Sequence, residues 1–442
     1  QALRQADYLS PKYHVVIANP PYMGNRSMAG RLQAFAKDCY PNSKSDLFAM
    51  FIERNIDLAL SGGLVSMITM QSWMFLSSYE LLRARIVNKD SIKSMAHLGA
   101  RAFDSIGGEV VSTTAFVLET ESHSSLKGDY LRLVDGSSEE EKSSLLLQAI
   151  KDPLCDHRFQ ISSTDFTEIP GSPIAYWVSP KTFELFRQEE SLGEKTTAKQ
   201  GLATGDNDTF ARLWHEVSVE KFYTRAQSCE ETSTLPYKWY PYNKGGQFRK
   251  WFGNIVFVVN WENDGDLIRQ FRDEAGKLRS RPQNTQCYFQ EGLTWSDVTS
   301  GFLSSRYLPS GNIYDISGHS AFPSSKKERL CILAYLNTTF CQRLAKILNP
   351  TLHFQIGDYC NLPFPSKFIS SNIEENANIC VGLGKIDWNS YETSWDFTSL
   401  QLLNQDHRQS ILKATYQKLR AHWREMTLEM QRLEQENNRI FI

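Results

Sequence analysis

Closely spaced cysteines are missing from this chain of 442 residues. The eight stand at 39, 155, 229, 287, 331, 341, 360 and 380, and the nearest pair is ten apart. That excludes zinc sites built on Cys-x-x-Cys, and the nine histidines are equally scattered. The thiols read as reduced, as in a cytoplasmic protein, and no metal is expected. Long apolar runs are missing too. Residues 64–70 are interrupted by Ser66 and Thr69, and 255–259 is only five long, against the ~20 residues of a membrane-spanning helix. The charges nearly cancel: 48 Lys and Arg against 50 Asp and Glu give −2, so any surface for nucleic acid has to be local. The first 18 residues contain no glycine.

What is present centres on Val15-Val16-Ile17-Ala18-Asn19-Pro20-Pro21-Tyr22. The β-branched run reads as a buried strand of a parallel sheet. Two prolines, which cannot donate to a sheet ladder, end it. In an open α/β sheet, ligands bind just past the carboxyl ends of strands, where Asn19 and Tyr22 then lie. Asn19 offers a side-chain carbonyl, and its place before a proline keeps it extended. The Pro20 carbonyl is a second acceptor, and Tyr22 supplies a flat ring. Two convergent acceptors suit an exocyclic amino group on a planar base. Accepting both its hydrogens frees the nitrogen lone pair for attack on a methyl group, without a strong base or metal.

These residues resemble the catalytic motif of S-adenosylmethionine-dependent amino-methyltransferases. The longer stretch from Tyr13 to Gly24, followed by Lys44-Ser45-Asp46-Leu47-Phe48, resembles the Eco57I-like adenine-specific DNA methylases, including those of BREX phage-defence systems. The likeness continues at 388–397 and 436–442. One departure is His14, where such enzymes usually carry Asp. The resemblance implies a site-specific DNA methyltransferase acting on adenine N6 of a flipped base. Asn19, Pro20, Pro21 and Tyr22 would be its catalytic residues, S-adenosyl-L-methionine its cofactor, and double-stranded DNA its partner. Other defence-system proteins are further possible partners, and no membrane is involved. The family's Gly-rich cofactor loop would precede Asn19, and none stands there, so the cofactor-binding residues are expected upstream of Gln1. The chain therefore reads as the C-terminal part of a larger protein, expected to be inactive alone and to bind the cofactor weakly or not at all. The rival readings are an Asn-Pro-Pro-Tyr methyltransferase acting on protein glutamine or RNA, and a non-catalytic DNA-specificity subunit. Gly382-Leu383-Gly384 lacks a strand-loop-helix context and is set aside as a cofactor motif.

The expected fold class is α/β: the second half of a Rossmann-like methyltransferase sheet, an α+β target-recognition domain and a long C-terminal helix. Residues 1–122 form the catalytic half, with strands near 14–18, 64–69, 94–98 and 110–118. Helices fall at 31–39, at 45–60 (capped by Ser43 or Ser45) and at 77–88. The loop 99–109, with Gly107-Gly108, resembles the family's target-side loop. Residues 123–165, with the charge run 137–144, read as a solvated linker. Residues 166–368 form the target-recognition domain. Its opening, Gly201 to Phe210, and its exits near Leu336-Asn337 and Leu362-Pro363-Phe364-Pro365 resemble those of the family. Residues 369–442 are a linker and a helix of about 406–438, with a heptad seam at 412, 416, 419, 423, 426, 430 and 433. DNA is expected on 237–281, where nine Lys or Arg face five Asp or Glu among interleaved aromatic residues. The residues singled out are Lys238, Lys244, Arg249, Lys250 and, on the next loops, Arg306.

Overall fold

The computed structural model describes residues 2–104, 111–123, 126–298, 301–350 and 353–441. The chain is mixed α/β and divides into two compact units, 1–188 and 189–442.

The first unit is built on one six-stranded sheet, in the order β1-β2-β4-β3-β5-β6. The strands are β1 (Tyr13–Ala18), β2 (Ala59–Met70), β3 (Ser91–Gly99), β4 (Thr113–Glu119), β5 (Lys127–Arg132) and β6 (Arg158–Ser162). β1 runs parallel to β2, and β3 parallel to β5; β4 and β6 run the other way. The carboxyl ends of β1, β2, β3 and β5 therefore share one edge of the sheet, where irregular segments gather.

Between β1 and β2 come α1 (Gly30–Cys39) and α2 (Leu47–Leu58). α2 buries Phe48, Ile52 and Ile56 on one stripe, the 3.6-residue period read from the sequence. Its cap is Asp46, whose carboxylate accepts from the Phe48 amide at 3.3 Å. The expected caps do other work: buried Ser43 bonds Glu53 at 2.6 Å, and Ser45 pairs through its backbone with Asn25. α2 ends at Leu58, and Gly62 and Gly63 already lie in β2.

Two expectations are corrected in this unit. β1 is an edge strand of the sheet, with Val15 53% and Ile17 78% exposed, because no described element covers that face. Segment 123–165 is also no linker. It supplies β5, β6 and a helix, α3 (Glu139–Lys151), to the same sheet. The charge run is the first turn of α3: Ser138 caps it and Glu139, Glu140 and Glu141 sit at its positive end. Lys142 turns inward and donates to the carbonyls of Leu98 (2.7 Å) and Leu133 (3.0 Å). Gly107 and Gly108 lie outside the described residues, as does Gln1, the position beyond which the cofactor-binding residues are expected.

The second unit adds strands β7 (Thr197–Lys199), β8 (Ala211–Leu213), β10 (Phe257–Asn260), β13 (Ile313–Tyr314) and β14 (Ser320–Phe322) to three more. The other three are β9 (Trp239–Asn243), β11 (Gly292–Trp295) and β12 (Ser305–Leu308). They form two four-stranded sheets, ordered β13-β9-β10-β8 and β12-β11-β14-β7. The family-like sequence runs have structural work here. A side chain at Gly201 would strike the Tyr314 backbone, and Leu202 and Phe210 enter the core. Asn337 bonds both the amide and the carbonyl of Ser305, at 3.0 Å each, and so ties a helix end to β12. The segment expected to link the domain to its tail holds a 19-residue helix, Ser371–Asn389, which carries Gly382 and Gly384. A terminal helix, Leu412–Phe441, closes the chain. Of the heptad seam, Leu419 and Leu433 are buried while Leu412, Tyr416 and Trp423 stay exposed. No described helix is long and apolar enough to cross a membrane.

Candidate active site

At the carboxyl end of β1 the chain leaves the sheet through Asn19, Pro20, Pro21 and Tyr22. Pro20 is buried; Asn19 and Pro21 are exposed, and Tyr22 is 37% exposed. What fixes this loop is a backbone ladder to the segment before α2. The Met23 amide donates to Asp46 Oδ1 at 3.0 Å, Leu47 donates to the Met23 carbonyl at 3.1 Å, and Asn25 donates to the Ser45 carbonyl at 2.9 Å. The Asn25 side chain adds a bond to the Lys44 carbonyl at 3.0 Å. Asp46 thus caps α2 and holds the loop with one carboxylate. Tyr22 meets Phe48 edge-on, with ring centroids 5.9 Å apart, and Phe48 in turn packs on Tyr79 at 5.8 Å. Burial, then the Asp46 charge, raises the Tyr22 pKa, so its hydroxyl stays protonated.

With the loop held by others, the Asn19 side chain has no hydrogen-bond partner among the described residues, and none of them donates to the Pro20 carbonyl. Both acceptors are free at a strand's carboxyl end. A preorganised pair of acceptors beside a ring can orient and polarise a planar amino group.

The ends of β2 and β3 add a buried network that sequence reading missed. Gln71 Oε1 lies 2.7 Å from His97 Nε2, and His97 Nδ1 lies 2.9 Å from the Tyr176 hydroxyl. With the Gln71 carbonyl accepting, Nε2 donates and Nδ1 accepts from Tyr176. Burial, then Arg132 and Lys142, pushes the His97 pKa down to about 3. The segment after β2 is clamped by Arg83, which is 1% exposed and donates to the carbonyls of Gly171, Trp73 and Leu76. Asp46 carried a detectable signal, an Asp just before an amphipathic run. His97 and Arg83 had none, because each needs a distant partner to complete its set, Tyr176 at 79 residues and Gly171 at 88.

Of the residues expected to meet DNA, Arg306 is buried, Lys244, Arg249 and Lys250 are engaged within the fold, and Lys238 has no charge partner among the described residues. Arg306 is fully buried on β12, and its contacts are the Arg249 carbonyl (3.3 Å) and Ser296 Oγ (3.4 Å). A guanidinium with no solvent access cannot reach a phosphate, so that assignment is corrected. Arg249 pairs with Asp387, donates to the Phe252 carbonyl and lies 5.0 Å from the Trp388 ring centroid. Lys250 pairs with Glu434 at 2.9 Å, and the other Glu434 oxygen accepts from Trp251 Nε1 at 2.8 Å. These pairs line a cavity of about 870 Å³ bounded also by Trp423, Met426 and Met430. Lys244 bonds Asn207 at 2.8 Å and lies 3.5 Å from Asp315. Lys238 rests over the Trp239 ring at 5.7 Å and pairs with no carboxylate among the described residues. Of the interleaved aromatic residues, Tyr240, Tyr242, Trp251 and Phe252 are core. The exposed cations of 237–281 are instead Arg269, which pairs with Asp264 at 3.2 Å, and Arg272, Lys277, Arg279 and Arg281 on the irregular hairpin after Phe271.

The chain is similar to known methyltransferases. Residues 3–103 match the family model of the Eco57I restriction-modification methylase. The whole chain is 41% identical, over 447 residues, to the adenine-specific methyltransferase PglX of Lacticaseibacillus casei (strain Zhang), covering 100% of this chain and 37% of that protein. It is 39% identical, over 419 residues, to the adenine-specific methyltransferase BrxX of Escherichia coli O9:H4 (strain HS), covering 94% and 32%. The chain thus spans about a third of the length of these curated relatives. Among solved structures, it is similar to the type IIL restriction-modification enzyme MmeI in complex with DNA (TM-score 0.52, 11% identity, 92% of this chain and 53% of that one). It is also similar to a nuclease-deletion mutant of the type ISP enzyme LlaGI in complex with a DNA substrate mimic (TM-score 0.51, 11% identity, 92% and 38%). At that identity the likeness concerns the fold alone.

Proposed function

We propose that this chain carries the base-binding half of a DNA adenine N6-methyltransferase, followed by the domain that reads the DNA. The first sheet is then the second half of a Rossmann-like methyltransferase sheet, and the second unit a target-recognition domain. The carrying observation is the pinned loop with two unused acceptors, Asn19 Oδ1 and the Pro20 carbonyl, at the carboxyl end of β1. The adenine, turned out of the duplex, would present its N6 amino group to both acceptors, with Tyr22 beside the ring. Accepting both N6 hydrogens leaves the nitrogen lone pair available to the methyl group. Asp46 acts through the loop as a positioning residue.

S-adenosyl-L-methionine, when bound, supplies an electrophilic methyl group. The described residues offer the base side of such a site. None of them forms the Gly-rich strand-loop-helix turn that lets a backbone approach the cofactor, so no cofactor contact is assigned to them. A role in restriction-modification rests on the match of residues 3–103 to the Eco57I methylase model, and one in defence against phage on the resemblance of the sequence motifs alone.

The test is Asn19→Ala in the intact protein, assayed for methyl transfer to adenine in DNA and for thermal melting. Methylation is expected to fall ~10²–10³-fold, the usual loss for one preorganised polar contact at a reacting centre, with melting unchanged. Wild-type methylation in that variant overturns the assignment.

A further inference from the structure

Between 408 and 424 the chain has five Lys or Arg (408, 413, 418, 420 and 424) and no Asp or Glu. Most of this run is the first half of the terminal helix. The second half, 425–441, reverses the balance, with four Glu against two Arg.

At 3.6 residues per turn, Lys413, Arg420 and Arg424 fall within about 40° of one another around the helix axis. All three are exposed, and the face that packs on the protein, through Thr415 and Leu419, lies on the opposite side. None of the three pairs with a carboxylate or donates a hydrogen bond among the described residues. Farther along, Arg432 is held by Glu429 at 2.8 Å and Arg439 by Glu436 at 3.9 Å. Lys418, off the stripe, is used by the Asp406 carbonyl at 2.7 Å. Exposed Tyr416 and Trp423 lie beside the stripe.

A straight, exposed row of unpaired cations invites a polyanion. Along the helix the charges are spaced about 10 Å and about 6 Å apart, a rigid ladder that can follow the regularly repeated phosphates of one strand. Two of the three are Arg, the side chain best suited to a phosphate fork. We propose that Lys413, Arg420 and Arg424 hold duplex DNA by its phosphates, independently of base sequence. This rests on the DNA-methyltransferase reading above, and moves the main electrostatic contact away from Arg249 and Lys250.

The experiment is titration of a labelled duplex of arbitrary sequence with the intact protein, between about 50 and 200 mM salt. The variants are Lys413→Gln/Arg420→Gln/Arg424→Gln together, and Arg432→Gln/Arg439→Gln as the comparison. The triple variant should bind every duplex more weakly. Its plot of log affinity against log salt should be shallower by about 0.9 per lost contact, about 2.7 in all. The paired-arginine variant should keep the parent slope. A parent that binds DNA while the triple variant matches its affinity and slope overturns the stripe and leaves the methyltransferase reading standing. A parent with no affinity for duplex DNA overturns both.

Discussion

The loop after β1 and the segment 244–254 are both irregular stretches leaving a strand, and both hold residues of the right chemistry for a nucleic-acid enzyme. In the first, the backbone is held by others, through Asp46, Leu47 and Ser45, and the side chains of Asn19 and Tyr22 face outward. In the second, the side chains do the holding: Lys244 reaches Asn207, Arg249 reaches Asp387, and Lys250 reaches Glu434. Chemical type is thus a poor guide to availability. A polar side chain is free for a ligand when something else satisfies the backbone around it. A cation whose charge is matched within the fold offers little of it to a phosphate.

The strongest way to break this contrast is to remove what frees the first loop. Asp46→Ala takes the acceptor from the Met23 amide and the cap from α2 together. Loss of the cap alone costs about 0.5–2 kcal/mol of stability. Displacing the loop by an ångström should lower methylation by roughly 10²-fold, with Asn19 itself intact. Asp46→Asn keeps a capping oxygen and should recover most of the rate. Full activity in Asp46→Ala would show that the loop stands without it.

The second segment can be tested from the other side. Glu434→Ala strands Lys250 and Trp251 Nε1, and should lower stability by about 1–3 kcal/mol in a denaturant titration. Lys250→Ala should likewise destabilise while leaving the salt dependence of DNA binding unchanged. A salt slope shallower by about 0.9 in Lys250→Ala would return that lysine to the DNA surface.

The legible and the illegible parts of the sequence follow the same division. The strand, the double proline and the amphipathic helix α2 were readable because each rests on neighbours within a few positions. β5, β6 and α3 were not, since a Ser- and Glu-rich surface composition masked Gly128 and Tyr130, buried in β5, and Leu133, buried just past it. Val15 and Ile17 read as core because apolar type was taken for burial, yet their face of β1 is uncovered. The basic region 237–281 misled for a related reason. Local net charge counts cations but not the distant carboxylates that meet them: Asp387 and Glu434 lie 138 and 184 residues beyond their partners. The stripe on the terminal helix escaped because the heptad seam marks only the apolar face.

The smallest expected effect concerns His97, a polar group committed at both ring nitrogens like the cations of the second segment. Its folded pKa, pushed down to about 3, lies below the ordinary value of ~6.5 expected when unfolded. Between those values the unfolded chain binds more protons, so the stabilisation is complete above about pH 6.5 and falls away as pH drops toward 3. From pH 7 to pH 6 that amounts to roughly 0.7 kcal/mol. Buried Asp90 works in the opposite sense: desolvation lifts its pKa to about 6 from 3.8, so its contribution is lost as pH rises through that window. Comparing wild type with His97→Gln cancels the Asp90 term. The variant's stability should lack the decline between pH 7 and pH 6 that wild type shows. Equal declines in the two proteins would mean that His97 takes up its proton within the folded state, and that the Gln71–His97–Tyr176 network opens without cost.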